Sequence, residues 1–98
     1  MKTFVFLLKK KWKNDLNEKL LLEHVEYLKN LKKTANLIIC GPFFDNDGAM
    51  QIILANTREE AILLFEQDPF IRYKYYEEYV IHELLEANES NNWLMNNP

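Results

Sequence analysis

The sequence predicts an α+β fold with the order βαββαβ, provided that its last element is a strand. In this ferredoxin-like arrangement an antiparallel four-stranded sheet carries two helices on one face. Short apolar segments with β-branched and aromatic residues alternate with two segments of helical spacing. A strong turn signal separates the two middle strands. The length of 98 residues suits one domain, and 48% apolar residues are enough to build a core.

The first part of the chain is predicted to be a strand followed by a helix. The segment TFVFLL, residues 3–8, is aromatic and partly β-branched, which is typical of a strand that is apolar on both faces. The segment LNEKLLLEHVEYLKNLKK then places apolar side chains at helical spacing. Asn14 and Asp15 precede it and are candidate N-caps, because their side chains can accept from backbone amides of the first turn.

The middle of the chain is predicted to be a hairpin, residues 37–55, followed by a second helix. NLIICGPFF is a strand ended by Gly41-Pro42, DNDG is the turn, and AMQIILA is the returning strand. TREEAILLFEQ is the helix, and its T-x-x-E capping box begins at Thr57. We expect Pro69 to end this helix, because the residue before a proline avoids the helical region.

The last element is ambiguous from its residues alone. YYEEYVIHELLEAN contains helix formers and strand formers, and both of its alternating sets are mixed. The end of the chain is polar apart from Trp93, Leu94 and Met95, so we expect it to be loose or docked by these three side chains. We therefore predict a single domain over residues 1–87 and a polar tail over residues 88–98.

Composition and charge favour a soluble protein of the cytoplasm. The net charge of −3 argues against a nucleic-acid-binding protein, which usually carries a basic excess. The apolar run over residues 4–8 is too short for a signal peptide or a membrane span, so we expect no membrane partner. KKKWK, residues 9–13, is expected to be a solvated loop. The single cysteine, Cys40, permits no internal disulfide, in agreement with a reducing compartment.

The predicted sheet has one side that the helices leave uncovered. Its strands at residues 4–8, 37–40 and 50–55 are apolar on both sides. A solvated face would instead show polar residues at every second position. A second copy of the chain is the simplest cover, and we therefore predict a homodimer packed sheet to sheet.

His24 and Asp68 are the first candidates for chemistry. His24 lies on the apolar stripe of the first helix, where packing is the ordinary role, although histidine is well suited to move protons near neutral pH. Asp68 follows the inward face of the second helix, at an end where a carboxylate needs a positive partner. The spacing allows the two side chains to meet, and it equally allows Asp68 to lie in a solvated Asp-Pro turn.

Candidate ligand contacts are glycine, proline and aromatic residues near the strand and helix ends. Gly41, with Pro42 beside it, permits close approach of a ligand or simply ends the strand. Phe43, Phe44 and Phe70 either wall an apolar pocket or belong to the core.

Neither a metal ion nor a cofactor is expected. His24, His82 and Asp68 have no spacing typical of metal ligands. The chain has only two glycines and therefore no glycine-rich phosphate loop.

Together these motifs resemble the YciI-like (YCII-related) family, small proteins of the dimeric α+β barrel type. The matching pieces are the initial strand, EHVEYLKNL with His24, IICGPF with Gly41-Pro42, and FEQDPF with Asp68, over about the first 87 residues. The resemblance implies that the last element is a strand. It also implies that His24 and Asp68 form an active-site pair, and it points to relatives that are dehydrochlorinases of aromatic-compound breakdown.

The residues and the resemblance lead to two main hypotheses for function. In the first, an enzyme uses His24 as general base or acid, with Asp68 fixing its tautomer, for elimination, isomerisation or hydrolysis of a small organic substrate. That substrate would contact Gly41, Pro42, Phe43 and Phe70. In the second, the chain is a non-catalytic ligand-binding or accessory homodimer, because a fold does not determine a function. An RNA-binding module ranks last, since it needs a basic excess.

Overall fold

The computed structural model describes residues 1–11 and 16–95 and confirms the α+β fold. Asn14 and Asp15, the candidate N-caps, lie outside the described residues. The predicted order βαββαβ is present, and a short third helix and a 3₁₀ segment are added to it. The elements are β1 (Lys2–Lys11), α1 (Glu18–Lys33), β2 (Leu37–Pro42), β3 (Ala49–Ala55), α2 (Arg58–Phe65), α3 (Pro69–Arg72), β4 (Tyr76–Leu84) and the 3₁₀ segment (Glu89–Leu94).

The strands form one antiparallel sheet in the order β2-β3-β1-β4. The predicted hairpin of β2 and β3 is present, and the Phe43 amide donates to the Gly48 carbonyl at 2.9 Å to close its turn. The element that periodicity left ambiguous is the edge strand β4, paired with β1. The strand that the resemblance implied is therefore confirmed.

Side-chain caps show why the helices begin where they do. Asn17 Oδ1 accepts from the Leu20 amide at 2.8 Å, so α1 begins at the next residue, Glu18. Thr57 Oγ1 accepts from the Glu60 amide at 3.1 Å and begins α2 as predicted. Among the helices in the described ranges, none combines the length and the apolar character needed to cross a bilayer.

The end of α2 differs from the prediction. The helix ends at Phe65, four residues before Pro69. Pro69 is instead the first residue of α3, with Asp68 as its N-cap. A proline at the first helical position is favoured because its fixed φ suits a helix and its missing N–H would have no partner there.

The helices cover one face of the sheet and form the core with it. Phe4, Phe6 and Leu8 alternate along β1 and are buried on that face. Phe65 of α2 stacks on Phe6 with ring centroids 4.1 Å apart, and Ile53 of β3 is buried beside them. The strict alternation of buried and half-buried residues in β3 reflects the two different environments of the faces.

The other side of the sheet, which we call the open face, is apolar and is covered by none of the described helices. Ile39 is 53% exposed, Leu84 is 47% exposed and Val80 is 37% exposed. The remaining apolar side chains of this face are half-buried. The apolar members of the open face are Val5, Leu7, Ile39, Ile52, Leu54, Val80 and Leu84, and His82 shares this side of β4 opposite Val5.

The segment after β4 is a kinked 3₁₀ turn held by its own side chains. Asn88 and Asn91 exchange side-chain to backbone hydrogen bonds at its start. Trp93 and Met95 are exposed, and Leu94 alone of the three apolar side chains is half-buried. The tail is therefore not docked by all three of these apolar side chains. The domain boundary at residue 87 stays a prediction.

Candidate functional site

Asp68 is completely buried where α2 meets α3. Its Oδ1 accepts from the Phe70 amide at 2.9 Å, which makes it the N-cap of α3. The sequence predicts Asp68 at the end of the second helix, and the structure places it three residues beyond that end, as the N-cap of a further helix. Its nearest backbone partner is an amide, which is the ordinary environment of an aspartate at a helix start.

His24 of α1 contacts Asp68, as the spacing allowed. His24 Nδ1 lies 2.7 Å from Asp68 Oδ1, and the histidine side chain is 14% exposed. The Phe70 ring stacks on the imidazole with ring centroids 3.6 Å apart and an interplanar angle of 5°. The imidazole is thus fixed by a hydrogen bond at one nitrogen and by a ring against one face.

Gln51 of β3 is a buried polar residue of the site that the sequence analysis missed. Its Nε2 donates to Asp68 Oδ2 at 2.7 Å, and its Oε1 accepts from the Tyr27 hydroxyl at 3.2 Å. Burial, reinforced by the charge of Asp68, raises the pKa of Tyr27, so this hydroxyl keeps its proton and remains a donor. The available signal was a single polar side chain in the apolar strand AMQIILA, at a position of the buried set.

These contacts favour one arrangement of protons in the pair of His24 and Asp68. Asp68 receives hydrogen bonds from Gln51, from the Phe70 amide and from His24. The first two partners can only donate at these atoms, which favours an ionised carboxylate that accepts and a His24 Nδ1 that carries the shared proton. In neutral imidazole the other nitrogen, Nε2, is then an acceptor.

His24 lines a cavity of about 490 Å³ between α1, the sheet and α3. This volume is in the range of small-molecule sites, and the wall is mostly apolar and aromatic. Gly41, Pro42 and Phe70, three of the predicted contacts, line it. Phe43 is not among the described lining residues and lies at the hairpin turn instead.

Gly41 leaves space in the cavity wall. A Cβ added there would meet no atom within 4 Å, and its φ is not in the left-handed region. Neither tight packing nor an unusual backbone therefore requires glycine at this position. The close-approach interpretation of Gly41 is compatible with this open space, whereas a kink that needs glycine is not.

Cys40 of β2 also lines the cavity and is half-buried. Burial, and to a smaller extent the charge of Asp68, raises the pKa of its thiol. A thiol with a raised pKa is a weak nucleophile at neutral pH, so the plain buried-thiol interpretation is retained.

Comparisons with known proteins agree with this architecture. The family model described as the YCII-related domain matches residues 1–85. Among solved structures, the chain is similar to 5-chloro-2-hydroxyhydroquinone dehydrochlorinase from Burkholderia phenoliruptrix AC1100, in complex with 2,5-dihydroxybenzoquinone. The TM-score is 0.63 and the identity 20%, over 92% of this chain and 99% of that one, which is a likeness of fold. A comparison with curated proteins finds no match.

Proposed function

This chain belongs to the YCII-related family, and on that premise we propose that it is an enzyme acting on a small organic molecule through His24 and Asp68. The observation that carries the proposal is the 2.7 Å contact of His24 Nδ1 with the buried Asp68, in a histidine that also lines the cavity. Nδ1 of His24 is bonded to Asp68, and in this proposal Nε2 is the nitrogen that meets the substrate.

The proposed chemistry is proton transfer, with elimination as the preferred reaction. Nε2 of His24 takes a proton from the substrate, and the electron pair left behind expels a leaving group with its electrons. Asp68 stabilises the imidazolium that forms, and the proton then passes to the leaving group or to solvent. A positioned base of this kind contributes about 10²–10⁴ in rate, which suits an already activated substrate. The similar solved structure is named a dehydrochlorinase, which supports elimination.

Gln51 and Tyr27 act as positioning residues in this proposal. The Tyr27 hydroxyl donates to Gln51, which orients the amide so that its nitrogen faces Asp68. The carboxylate is thereby held as an acceptor and in one rotamer. Neither residue needs to touch the reacting atoms.

The experiment that tests the function is a turnover assay with a matched pair of histidine variants. We would measure chloride release from halogenated hydroquinones for the wild type, His24→Gln and His82→Gln. The proposal expects turnover in the wild type, its loss in the first variant and its retention in the second. Ligand binding without turnover of any halogenated or isomerisable substrate would instead favour the non-catalytic ligand-binding homodimer.

We also propose that the open face packs against the same face of a second copy. Exposed apolar side chains on β2 and β4, with half-buried ones on β1 and β3 between them, form a patch of the kind that marks an interaction surface. The apolar residues of the open face form one patch, and the charged residues that continue this side of β1 and β4, Lys9 and Glu78, are directly opposed and opposite in sign. Light scattering after size-exclusion chromatography tests this, and a stable monomer at micromolar concentration would refute it.

A further inference from the structure

One lysine lines the cavity that holds His24. Lys11 is the last residue of β1, is half-buried and is part of the cavity wall. No aspartate or glutamate is among the wall residues within the described ranges. The side-chain ion pairs in the same part of the chain join Lys10 with Glu78 and His24 with Asp68, so Lys11 has no acidic partner there. Lys11 is thus a cation of the described wall residues in mostly apolar surroundings, whereas the carboxylate of this region, Asp68, lies behind His24 and is bonded to it.

An irregularity in β1 brings Lys11 to this side of the sheet. Phe4, Phe6 and Leu8 are buried, so strict alternation would send residue 10 toward the cavity and residue 11 away from it. Lys10 has φ 58°, a left-handed conformation that is uncommon for a lysine. Its side chain turns outward to Glu78, at 2.8 Å.

Lys11 is consequently paired with a buried residue of β4. Its cross-strand partner is Tyr76, which is buried and also lines the cavity. Directly opposed residues of an antiparallel pair share a face. A backbone conformation that is strained at Lys10 and places a cation in a cavity wall is the kind of feature that recurs at ligand sites.

We propose that the cavity takes a planar organic anion, an unsaturated or aromatic ring with one carboxylate or ionised hydroxyl, and that Lys11 binds the anionic oxygen. Phe70, Tyr75 and Tyr76 are among the wall residues and make this part of the wall aromatic. Water is partly excluded from such a wall, so the ammonium attracts an anion more strongly than an exposed lysine does.

This ligand class deepens the proposed function and rests on it for the role of His24. When His24 Nε2 removes a proton, the electron pair moves onto the ring and its oxygen before the leaving group departs. A fixed cation beside that oxygen stabilises the charge as it develops. The preference for an anion is nevertheless a binding property, and it can be measured without any turnover.

The test compares two ligands of the same shape, benzoate and benzamide. Their dissociation constants are measured by calorimetry with the full chain at about pH 8, where an ordinary histidine is neutral. The proposal expects the wild type to bind benzoate about tenfold or more tighter than benzamide. Lys11→Met should lose this preference, and Lys11→Arg should retain it.

Lys10→Met is the matched control, because it removes a neighbouring lysine whose partner lies outside the cavity. It should retain the preference for benzoate. Equal binding of both ligands by the wild type, no benzoate binding in the millimolar range, or an unchanged preference in Lys11→Met would each overturn the proposal. A second ligand pair, 4-nitrophenolate and nitrobenzene, shows whether an ionised hydroxyl serves as well as a carboxylate.

The two proposals fail in different ways. If His24→Gln abolishes turnover while Lys11→Met still prefers benzoate, the enzyme proposal stands and the anion proposal falls. If the preference for benzoate depends on Lys11 but His24→Gln leaves turnover intact, the reverse holds.

Discussion

One histidine lies on each side of the sheet, His24 in α1 above the helix-covered face and His82 in β4 on the open face, and their surroundings differ. On the helix-covered face, His24 is bonded to Asp68 and stacked on Phe70. On the open face, His82 is exposed and its side chain forms no hydrogen bond with a residue of the described ranges. A histidine thus becomes a candidate base where the fold supplies an acceptor for one nitrogen and a cavity for the other. Residue type alone does not distinguish the two.

The difference between the two histidines is tested most directly by replacing each of them in turn. His24→Gln is expected to lower kcat/KM by about 10²–10⁴, because the general base is lost. His82→Gln should stay within about twofold of the wild type, as expected for a surface substitution away from the site. A steady-state assay on a turned-over substrate measures both. Similar losses in the two variants would show that the helix-covered face has no special role.

The proposed role of the open face as the dimer interface is best tested by introducing a charge into it. Val80→Lys is expected to weaken the proposed homodimer about a hundredfold or more, because an unpaired ammonium would have to be desolvated at the interface. Sedimentation or light scattering across a dilution series measures the change. Lys29→Met, a charge change on exposed α1, is the control and should leave assembly unchanged. An unaltered mass for Val80→Lys would remove the open face as the interface.

Asp68→Asn tests whether the carboxylate orients His24. In the variant, one carboxylate oxygen is replaced by an NH₂ group, which cannot accept the hydrogen bonds that Asp68 receives at that position. We therefore expect a loss of about 1–3 kcal/mol in the free energy of unfolding. The neutral imidazole should also change from one Nδ1–H tautomer to a mixture. Long-range ¹H–¹⁵N NMR of His24 measures the tautomer, and denaturant unfolding measures the stability. An unchanged tautomer would show that Asp68 is only a helix cap.

Gln51 and Tyr27 can be separated by a double-mutant cycle. Gln51→Met leaves the buried Tyr27 hydroxyl without its acceptor, which should cost about 1–3 kcal/mol of stability. Adding Tyr27→Phe removes the hydroxyl that has lost its acceptor. The double variant should therefore lose less free energy of unfolding than the two single variants lose together. Strict additivity would mean that the two residues are independent. The His24 tautomer in Gln51→Met then separates a positioning role from a purely structural one.

The smallest expected effect concerns the thiol of Cys40. Burial raises its pKa, so at neutral pH a smaller fraction is thiolate than in a free cysteine. Alkylation by iodoacetamide should therefore be slow at pH 7 and should keep accelerating above the ordinary thiol range near pH 8.5. Benzoate should slow it further if both share the cavity. Mass spectrometry follows the reaction, and fast alkylation at pH 7 would contradict the raised pKa.

Sequence patterns predicted the sheet and helices well because they depend on local periodicity and turn chemistry. TFVFLL, the DNDG turn and the cap at Thr57 all lie where these patterns indicated. The strand β4 needed the family resemblance, because its two faces differ too little in sequence. Its pairing with β1 is a long-range property that its own residues do not encode.

Parts of the candidate site escaped prediction for three different physical reasons. Asp68-Pro69 was interpreted as the end of one helix, although aspartate followed by proline is equally a helix start. Gln51 left a visible signal, a polar residue within a buried apolar strand. Lys11 left none, because KKKWK was expected to be a solvated loop and only the left-handed φ of Lys10 turns residue 11 toward the cavity.

A single helical turn, α3, supports the contact between His24 and Asp68 from one side. Phe70 donates its amide to the same oxygen that His24 approaches, and its ring lies on the imidazole. A helix as short as α3 has almost no stability of its own, so local fraying of Pro69–Arg72 would break the cap bond to Asp68 and take the Phe70 ring off the imidazole while the rest of the fold stays intact. Deuterium uptake at the Phe70 amide therefore measures how often the support of the pair by α3 opens, and the measurement needs no substrate.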